Sequence, residues 1–518
     1  MAGRRPAFEP MPTAVSFESG SYRDRDGRVF RGPGGEIYRA LSARALIEWD
    51  AVSATGFFQQ AMARGAIVGS EQVDAAPAEF GLDSSWAGIL KHEEIPFVSY
   101  PYEWTFGMLK DAALAHLELL KRALEEDLTI KDGTAYNMQW VGTRPVFIDV
   151  ASFERLKSGR PWDGYRQFCQ TFLYPLILQA HKNVDFHALL RGRLEGISPS
   201  DCARLISMRD LFRPGVFTHV WLHSRLEGSR IVRESGPQQG LERAGFDKTL
   251  IERNVANLAR TIRRLSWSPA HSPWSAYAGC VPYSADDQRR KASFVAEVVF
   301  SRRWDLVWDL GCNTGEYSRI ASENARYVVA MDSDHLAVER LYQSLQAQGK
   351  EARPVEDQSP GGRRLNGQSP DRPTPGERSP AAERRRTAGA IVPLVVNIAD
   401  PSPNLGWRGH ERGSLTARGL PDLTLCLALV HHLVIGAGIP LRDLLEWLAE
   451  LGTNLVIEFI TKDDPMVRQL LKNRKDSSPD YELDLFEGWL SRFFVVNRSE
   501  RLASGTRTLY YAMSRSPK

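Results

Sequence analysis

The chain has 518 residues, which is too many for one ordinary hydrophobic core and predicts two or three domains. Its composition, 42% apolar and 25% charged, is typical of a soluble globular protein. The 66 basic and 63 acidic residues almost balance, so the charge gives no reason to expect a nucleic-acid partner.

Short features of the sequence indicate the compartment. No apolar core follows the first residues, which predicts that there is no signal peptide. The longest apolar stretch, residues 423–439, contains two histidines and is too short and too polar to span a membrane. The five cysteines are scattered, which suits a reducing compartment and argues against a structural zinc. We therefore expect a cytoplasmic protein without a metal site.

The N-terminal part alternates strand and helix signals. Arg28–Arg31 and Glu36–Arg39 flank a Gly-Pro-Gly-Gly turn, which predicts a β-hairpin. A helical pattern covers 43–63, and the Pro-broken aromatic segment 95–104 is typical of an extended connector. Apolar residues recur at helical spacing over Phe106–Leu124, which predicts a long helix.

Three polar residues follow that helix. Asp132 and Asn137 lie on one loop, and Asp149 follows a predicted hairpin around Gly142. Their order resembles the catalytic loop of kinase-like phosphotransferases, in which an Asp accepts the substrate proton and an Asn and a second Asp hold metal. No His-Arg pair precedes Asp132 and no glycine-rich phosphate loop lies upstream, so ordinary turn and strand-end residues are the alternative. Residues 1–225 are expected to form an α+β domain, kinase-like in the first interpretation.

Residues 226–300 are expected to contain a linker and a helical segment that precedes the C-terminal domain. Gly, Arg and Gln are frequent in 226–248. Apolar residues over Leu250–Leu265 then mark an amphipathic helix, and a second helix is predicted over Asp286–Phe300.

The segment Val307–Ser318 organises the rest of the chain. The apolar run Leu306–Leu310 predicts a buried strand, and Gly311 and Gly315 follow it before a helix begins. A strand, a glycine turn and a helix in this order present backbone to a nucleotide-like ligand. Asp309, at the strand end, can accept hydrogen bonds from such a ligand.

A second buried strand, Tyr327–Asp332, ends in an acid 21 positions beyond Gly311. Such a spacing brings an acid to the ribose hydroxyls in a doubly wound fold. The two strands together resemble the class I S-adenosylmethionine-dependent methyltransferases. Asn313 replaces the middle glycine of that family's turn, and Asn tolerates a left-handed backbone. The alternatives are an NAD-type turn and a glycine turn without a ligand. The resemblance also makes Tyr283 and Lys291 candidate lid residues, with packing as the other interpretation.

The composition changes abruptly at Glu351 and recovers after Ala388. This segment is rich in Arg, Pro and Gly and has almost no apolar residues, so it is expected to be a disordered insert. Ser-Pro dipeptides recur every ten residues within it, at Ser359, Ser369 and Ser379. A surface insertion is the plain interpretation, and a docking or phosphorylation segment is the alternative.

The last elements follow the methyltransferase order. Ile391–Val396, Pro421–Val430 and Asn454–Ile460 predict three strands, and a two-stranded hairpin closes the chain. Pro393 suits a strand at the sheet edge, where that order puts it. The predicted fold class is α/β, with a Rossmann-like seven-stranded methyltransferase sheet over 301–518 that follows the α+β domain.

The resemblance to methyltransferases also implies site residues. Those expected to hold S-adenosylmethionine are Asp309, Gly311, Asn313 and Gly315 at the turn, Asp332 at the ribose and Asn397 near the adenine. Those expected to be catalytic, at the ends of the fourth and fifth strands, are His431, His432 and Glu458. A histidine is a natural base near neutral pH, and packing at a helix start is the alternative for the pair.

The chain as a whole, its N-terminal half included, is similar to the NoeA-type family of bacterial methyltransferases. This resemblance implies a methyltransferase with an unidentified acceptor, a small molecule rather than a nucleic acid, and no membrane partner. Two other classes stay open. One is a fusion to a kinase-like ATP-binding or pseudokinase domain, and the other is a non-catalytic S-adenosylmethionine-binding scaffold.

Overall fold

The computed structural model describes residues 15, 17–227, 247–269, 285–351, 389–471 and 479–515. The chain divides into two compact units. Unit 1 comprises residues 1–140, 144–268 and 402–418, and unit 2 comprises residues 141–143, 269–401 and 419–518. Tyr283, and the predicted insert apart from its first residue, lie outside the described residues.

Unit 1 begins with a four-stranded antiparallel sheet. Its strands are β1 (Gly27–Arg31), β2 (Ile37–Leu41), β3 (Ser70–Gln72) and β4 (Gly88–His92), in the order β1-β2-β4-β3. The pairing of β1 with β2 confirms the predicted hairpin. Helices α1 (Ala43–Ser53) and α2 (Gly56–Ala63) connect β2 to β3. Each helix begins after a hydroxyl residue, Ser42 or Thr55, whose side chain accepts a hydrogen bond from a backbone N–H of the first turn.

The predicted long helix is α3 (Phe106–Glu125), and Thr105 caps its first turn. It leads to β5 (Leu128–Ile130), which pairs antiparallel with β8 (Phe153–Arg155), and to the hairpin of β6 (Met138–Val141) and β7 (Arg144–Phe147). The other described α-helices of unit 1 are α4 (Tyr165–Phe168), α5 (Tyr174–Lys182), α6 (His187–Gly192), α7 (Pro199–Leu205), α8 (His223–Glu227) and α9 (Lys248–Arg264).

The domain boundaries differ from those expected at 225 and 300. Helix α9 packs against α3 within unit 1. Its apolar stripe, which includes Ile251, Val255 and Leu258, is buried there. An amphipathic helix needs an apolar partner face, and sequence alone does not say which helix supplies it.

Unit 2 begins with α10 (Ala285–Val299), which leads into a seven-stranded sheet. The strands are β9 (Trp304–Leu310), β10 (Ala325–Asp332), β11 (Ala390–Val395), β12 (Leu423–Cys426), β13 (Asn454–Ile460), β14 (Phe494–Arg501) and β15 (Arg507–Ser514). The described helices around them are α11 (Glu316–Ser322), α12 (His335–Glu351), α13 (Leu441–Glu450), α14 (Pro465–Leu471) and α15 (Leu483–Phe493).

The strand order is β11-β10-β9-β12-β13-β15-β14. The first five strands are parallel, and β15 is antiparallel to both of its neighbours. This is the predicted seven-stranded sheet with the predicted strand order, and Pro393 lies in its edge strand β11, as expected. None of the helices in the described ranges has the length and apolar character needed to cross a membrane.

One strand was predicted too long. The apolar run Pro421–Val430 gives only four strand residues, Leu423–Cys426. The chain leaves the sheet just beyond them, because Ala428 has a left-handed backbone with φ 51°. Apolar periodicity could not reveal this turn, since alanine rarely adopts that conformation.

Candidate active site

The turn after β9 is built from left-handed residues. The φ angle is 74° at Gly311, 48° at Asn313 and 82° at Gly315. Glycine adopts this conformation freely, and asparagine tolerates it better than most residues. The N–H groups of Gly311 and Cys312 both donate to the carbonyl of Met331, at 2.8 and 3.0 Å. The turn is therefore fastened to the end of β10 by backbone bonds.

Asp332 joins the ends of β9 and β10. Its Oδ2 accepts a 2.9 Å hydrogen bond from Asn313 N, and its Oδ1 accepts a 2.9 Å bond from Asp334 N. Burial raises the pKa of Asp332, while these N–H groups oppose that shift. The carboxylate thus lies at the carboxyl edge of the parallel strands, where doubly wound sheets bind their ligands.

Asp309 is held inside the fold. Its side chain is buried, and Ser318 Oγ on α11 donates to its Oδ2 at 2.5 Å. Burial raises the pKa of Asp309 from 3.8 to about 6, and the bond from Ser318 opposes that rise. The Asp309 carboxylate is therefore hydrogen-bonded to the helix that follows the turn. Sequence analysis did not identify Ser318 as its partner.

The two predicted glycines have different neighbours. A Cβ atom on Gly311 would lie 3.3 Å from Leu429 Cδ1, in the loop that follows β12. A Cβ atom on Gly315 would lie 2.5 Å from Leu341 Cδ1, on α12. Gly315 is therefore required for the packing of α12 against the turn. Gly311 keeps the backbone accessible beside the loop that carries the histidines.

Asn397 lies at the end of the edge strand. Its side chain is exposed, and its Oδ1 accepts a 3.0 Å bond from Ala399 N. Just before it, Val396 N donates to the carbonyl of Asp332 at 2.9 Å. The glycine turn, Asp332 and Asn397 therefore follow three neighbouring strands at one edge of the sheet.

The two predicted histidines follow β12 and differ in exposure. His431 is 1% exposed, His432 is half-buried, and their ring centroids are 4.0 Å apart. Within the described ranges, neither ring nitrogen of His431 has a hydrogen-bond partner. Burial lowers the pKa of His432 to about 4 and that of His431 well below its usual value. Both rings are therefore neutral at pH 7.

Glu458 belongs to a buried network of charges. Lys291 Nζ lies 2.7 Å from its Oε2, and the exposed fractions of the two side chains are 3% and 0%. Ala428 N donates to the same oxygen at 2.8 Å, and Arg507 Nη1 lies 3.8 Å from Oε1. A carboxylate so engaged fixes the left-handed loop after β12. Among the described residues Glu458 Oε1 has no hydrogen-bond partner, and the catalytic role of Glu458 stays a prediction. The buried pair favours packing over a lid role for Lys291.

Unit 1 contains a cavity of about 750 Å³, within the size range of small-molecule sites. Asp132, Asn137 and Asp149 all line it, together with residues of β1, β2 and β4. Asn137 Nδ2 donates to Asp149 Oδ2 at 3.3 Å. The three residues singled out in the sequence therefore face one space. Sequence analysis missed Arg39, whose Nη1 lies 2.9 Å from Asp149 Oδ1.

A comparison of the whole sequence identifies the family. The nodulation protein NoeA of Rhizobium meliloti (strain 1021) is 32% identical over 507 residues, which is 97% of each chain. The chain belongs to the NoeA family. The predicted NoeA-type membership is thereby confirmed, and no family model matches the chain.

Two solved methyltransferases are similar to part of this NoeA-family chain. N-methyltransferase NodS from Bradyrhizobium japonicum WM9, in complex with S-adenosyl-l-homocysteine, is 11% identical, with 48% of this chain and 94% of that chain covered and a TM-score of 0.29. Magnesium protoporphyrin IX methyltransferase ChlM from Synechocystis PCC 6803, with bound SAH, is 16% identical, with 46% and 92% covered and a TM-score of 0.28. Scores this low leave the activity to be argued from this chain's own residues.

Proposed function

We propose that unit 2 binds S-adenosylmethionine and transfers its methyl group to a small-molecule acceptor. The observation that carries this proposal is the hydrogen bond from Asn313 N to Asp332 Oδ2. It joins the glycine turn of one strand to the acid of the next, in a sheet with the methyltransferase strand order. A nucleotide-like ligand needs both features at one place, because the turn exposes backbone and the acid accepts hydrogen bonds from ribose hydroxyls.

The turn fits such a cofactor. Gly311 has a left-handed backbone, and a Cβ there would point at Leu429 Cδ1, 3.3 Å away, so only glycine leaves this surface open. The residues that would hold the cofactor are Asp309, Gly311, Asn313, Gly315, Asp332 and Asn397. The chemistry supplied by the bound cofactor is an activated methyl group on a sulfonium.

The protein's own contribution on the acceptor side comes from the loop after β12. His432 is half-buried and neutral at pH 7, so its imidazole is in the protonation state of a general base toward the acceptor. With a pKa of about 4 it is a weak base, which suits proton removal as the new bond forms. His431 packs against it with the rings tilted by 39°, which restricts its orientation. Glu458 positions the loop through Ala428 N.

Calorimetry tests the cofactor part of this proposal. Gly311→Val places a branched side chain at a left-handed position beside Leu429 and is expected to abolish S-adenosylmethionine binding. Gly505→Val is the matched control, because Gly505 has a φ of 73° and no atom within 3.4 Å of its added Cβ. Equal affinity in wild type and Gly311→Val, or binding of NADH instead, would reject the assignment.

Labelled methyl transfer tests the reaction itself. Wild type incubated with methyl-labelled S-adenosylmethionine and a small-molecule extract should give labelled products that the Gly311→Val variant does not form. Cofactor binding without any labelled product would instead favour a non-catalytic scaffold.

A second candidate function concerns unit 1. The hydrogen bond between Asn137 and Asp149, at a cavity that Asp132 also lines, favours a kinase-like nucleotide site. The four-stranded antiparallel sheet before residue 95 is consistent with the small lobe of such a fold. Magnesium-dependent ATP binding that is lost in Asp149→Ala would support this function.

A further inference from the structure

Several residues that line the cavity of unit 1 carry a buried polar atom that the described part of the protein does not satisfy. In the part of the chain that the structure describes, Arg39 Nε, His92 Nε2, Tyr136 Oη and Arg412 Nε are buried without a hydrogen-bond partner. All four residues line the cavity. Buried polar groups in folded proteins nearly always have partners. Four exceptions on residues that line one cavity favour a polar ligand there.

Most of these atoms are donors. A guanidinium Nε–H can only donate, and a phenol hydroxyl donates readily. The Arg412 guanidinium lies 4.3 Å from the centre of the Tyr136 ring, and its Nη1 donates to the backbone carbonyl of Glu411. Neither Arg412 nor Lys131, which also lines the cavity, forms an ion pair with any described carboxylate. Carboxylates also line the cavity, so Arg412 and Lys131 offer local positions for an anionic ligand group rather than a cationic wall. Arginine and lysine are the usual partners of phosphate.

Asp132 is one of several carboxylates that line the cavity. Asp132 is half-buried, and burial and the neighbouring Asp149 raise its pKa. Among the described residues, its carboxylate receives one side-chain hydrogen bond, from Gln167 Nε2 at 3.5 Å. A ligand hydroxyl would donate to it. The ligand expected from both sets of atoms therefore has a phosphate and at least one free hydroxyl.

Asp149 does not require a metal ion. Its Oδ1 is paired with Arg39 Nη1 at 2.9 Å, and its Oδ2 accepts the bond from Asn137 at 3.3 Å. The guanidinium already supplies the positive charge that a divalent cation would bring. A cation bound to Asp149 would have to displace Arg39 or be repelled by it.

One wall of the cavity is formed by residues 402–418, which hold Arg412 in place. Arg418 makes two bonds to the Glu103 carboxylate, at 2.6 and 2.7 Å, and donates to the carbonyl of Val98 at 2.9 Å. Gly413 N donates to Tyr100 Oη at 2.9 Å. Buried bidentate pairs of this kind fix geometry, so Arg412 is held ready for a ligand and need not be ordered by it.

We propose that the cavity of unit 1 binds a phosphorylated, hydroxyl-bearing small molecule through Arg412, Lys131 and Tyr136, without a divalent cation. Nucleotides and sugar phosphates share this chemistry. The proposal rests on unit 1 alone, so it stands or falls independently of methyl transfer in unit 2. It also differs from the kinase-like candidate, which requires magnesium.

Calorimetry on the full-length protein tests the proposal. The probes are ATP, glucose 6-phosphate and unphosphorylated glucose, each measured in EDTA and again with excess magnesium. We expect one of the two phosphorylated probes to bind in EDTA, glucose not to bind, and magnesium to leave the affinity within about twofold. Which phosphorylated probe binds distinguishes a nucleotide site from a sugar-phosphate site.

Two variants and a control locate the binding. Arg412→Gln should weaken the phosphorylated probe by about tenfold or more, because it removes a charged hydrogen-bond donor. Tyr136→Phe removes a single oxygen and should weaken binding severalfold while the melting temperature stays near that of wild type. Arg408→Gln, an equal charge change at an exposed position of the same segment, should bind like wild type.

Three results would overturn the proposal. They are no binding of either phosphorylated probe, binding only when magnesium is present, and unchanged affinity in both Arg412→Gln and Tyr136→Phe. If ATP bound only in the presence of magnesium, the metal-independent site would be rejected and the kinase-like function would be supported.

Discussion

Units 1 and 2 each present a carboxylate at or just beyond the end of a strand, but they hold it in different ways. In unit 2, Asp332 accepts hydrogen bonds from the backbone N–H groups of Asn313 and Asp334. In unit 1, Asp149 is held by the side chains of Arg39 and Asn137. Backbone donors survive almost any substitution, whereas side-chain donors disappear with the residue. The glycine turn of unit 2 should therefore tolerate changes at its donor positions, and the cavity of unit 1 should not.

The largest effect is expected in unit 1. Arg39→Ala leaves Asp149 without its cation in a site where the two side chains are 9% and 19% exposed. Breaking a buried pair in this way should lower the free energy of unfolding by about 3 kcal/mol. Urea denaturation measures it. Arg44→Ala is the control, because its pair with Asp26 is largely exposed and should contribute less than about 0.5 kcal/mol. Equal losses of unfolding free energy in Arg39→Ala and Arg44→Ala would show that the buried pair of unit 1 is no more important than an exposed one.

The next effect concerns Asp332 itself. Asp332→Asn keeps the shape of the side chain but removes the charge that would accept the ribose hydroxyls. The affinity for S-adenosylhomocysteine should fall about 100-fold, or roughly 3 kcal/mol. Calorimetry measures it, with Asp305→Asn as control, since Asp305 is exposed at the opposite end of β9. An unchanged affinity in Asp332→Asn would mean that backbone groups alone bind the ligand.

A third effect depends on pH. The pKa of Asp309 is 3.8 in an ordinary setting and about 6 in the fold, so between these values the folded state holds a proton that the unfolded chain has lost. The contribution of Asp309 to stability should therefore fall as pH rises from about 4 to 6, by roughly 2 to 3 kcal/mol, and then stay level. Urea denaturation of wild type and Asp309→Asn at several pH values isolates this term. Parallel stability curves would show that Asp309 is not shifted.

The smallest effect is the sharpest test of the comparison. Asn313→Gly retains the backbone N–H that binds Asp332 and suits the left-handed conformation. Stability and cofactor affinity should change by less than about 0.5 kcal/mol. Asn137→Ala, by contrast, deletes the Nδ2 donor to Asp149 and should lower stability by about 1 kcal/mol. A larger loss of stability in Asn313→Gly than in Asn137→Ala would contradict the expectation that backbone donors make unit 2 tolerant of substitution.

How far the site could be predicted follows from the distances along the chain. The proximity of Gly311, Asn313 and Asp332 could be predicted from sequence because one βα unit and the next strand bring them together. The buried pair of Lys291 and Glu458 was not found, because its members are 167 positions apart. A signal existed for Lys291, which interrupts the apolar face of α10 close to Phe294 and Val295. Nothing in the sequence identified Glu458 as its partner.

The sequence by itself determined the order of elements in unit 2 and the position of its glycine turn. Periodicity, glycine positions and the acid after β10 are local features, and parallel βα units assemble in few ways. The tertiary structure alone decided which polar groups are satisfied. Burial lowers the pKa of His431 and His432, so both rings are neutral at pH 7. The fold also pairs Glu458 with Lys291. It also brought Arg39 and residues 402–418 into the walls of the unit 1 cavity. Hydrogen-bond partners and dielectric surroundings depend on residues distant in sequence, and these set the charges on which the proposed chemistry depends.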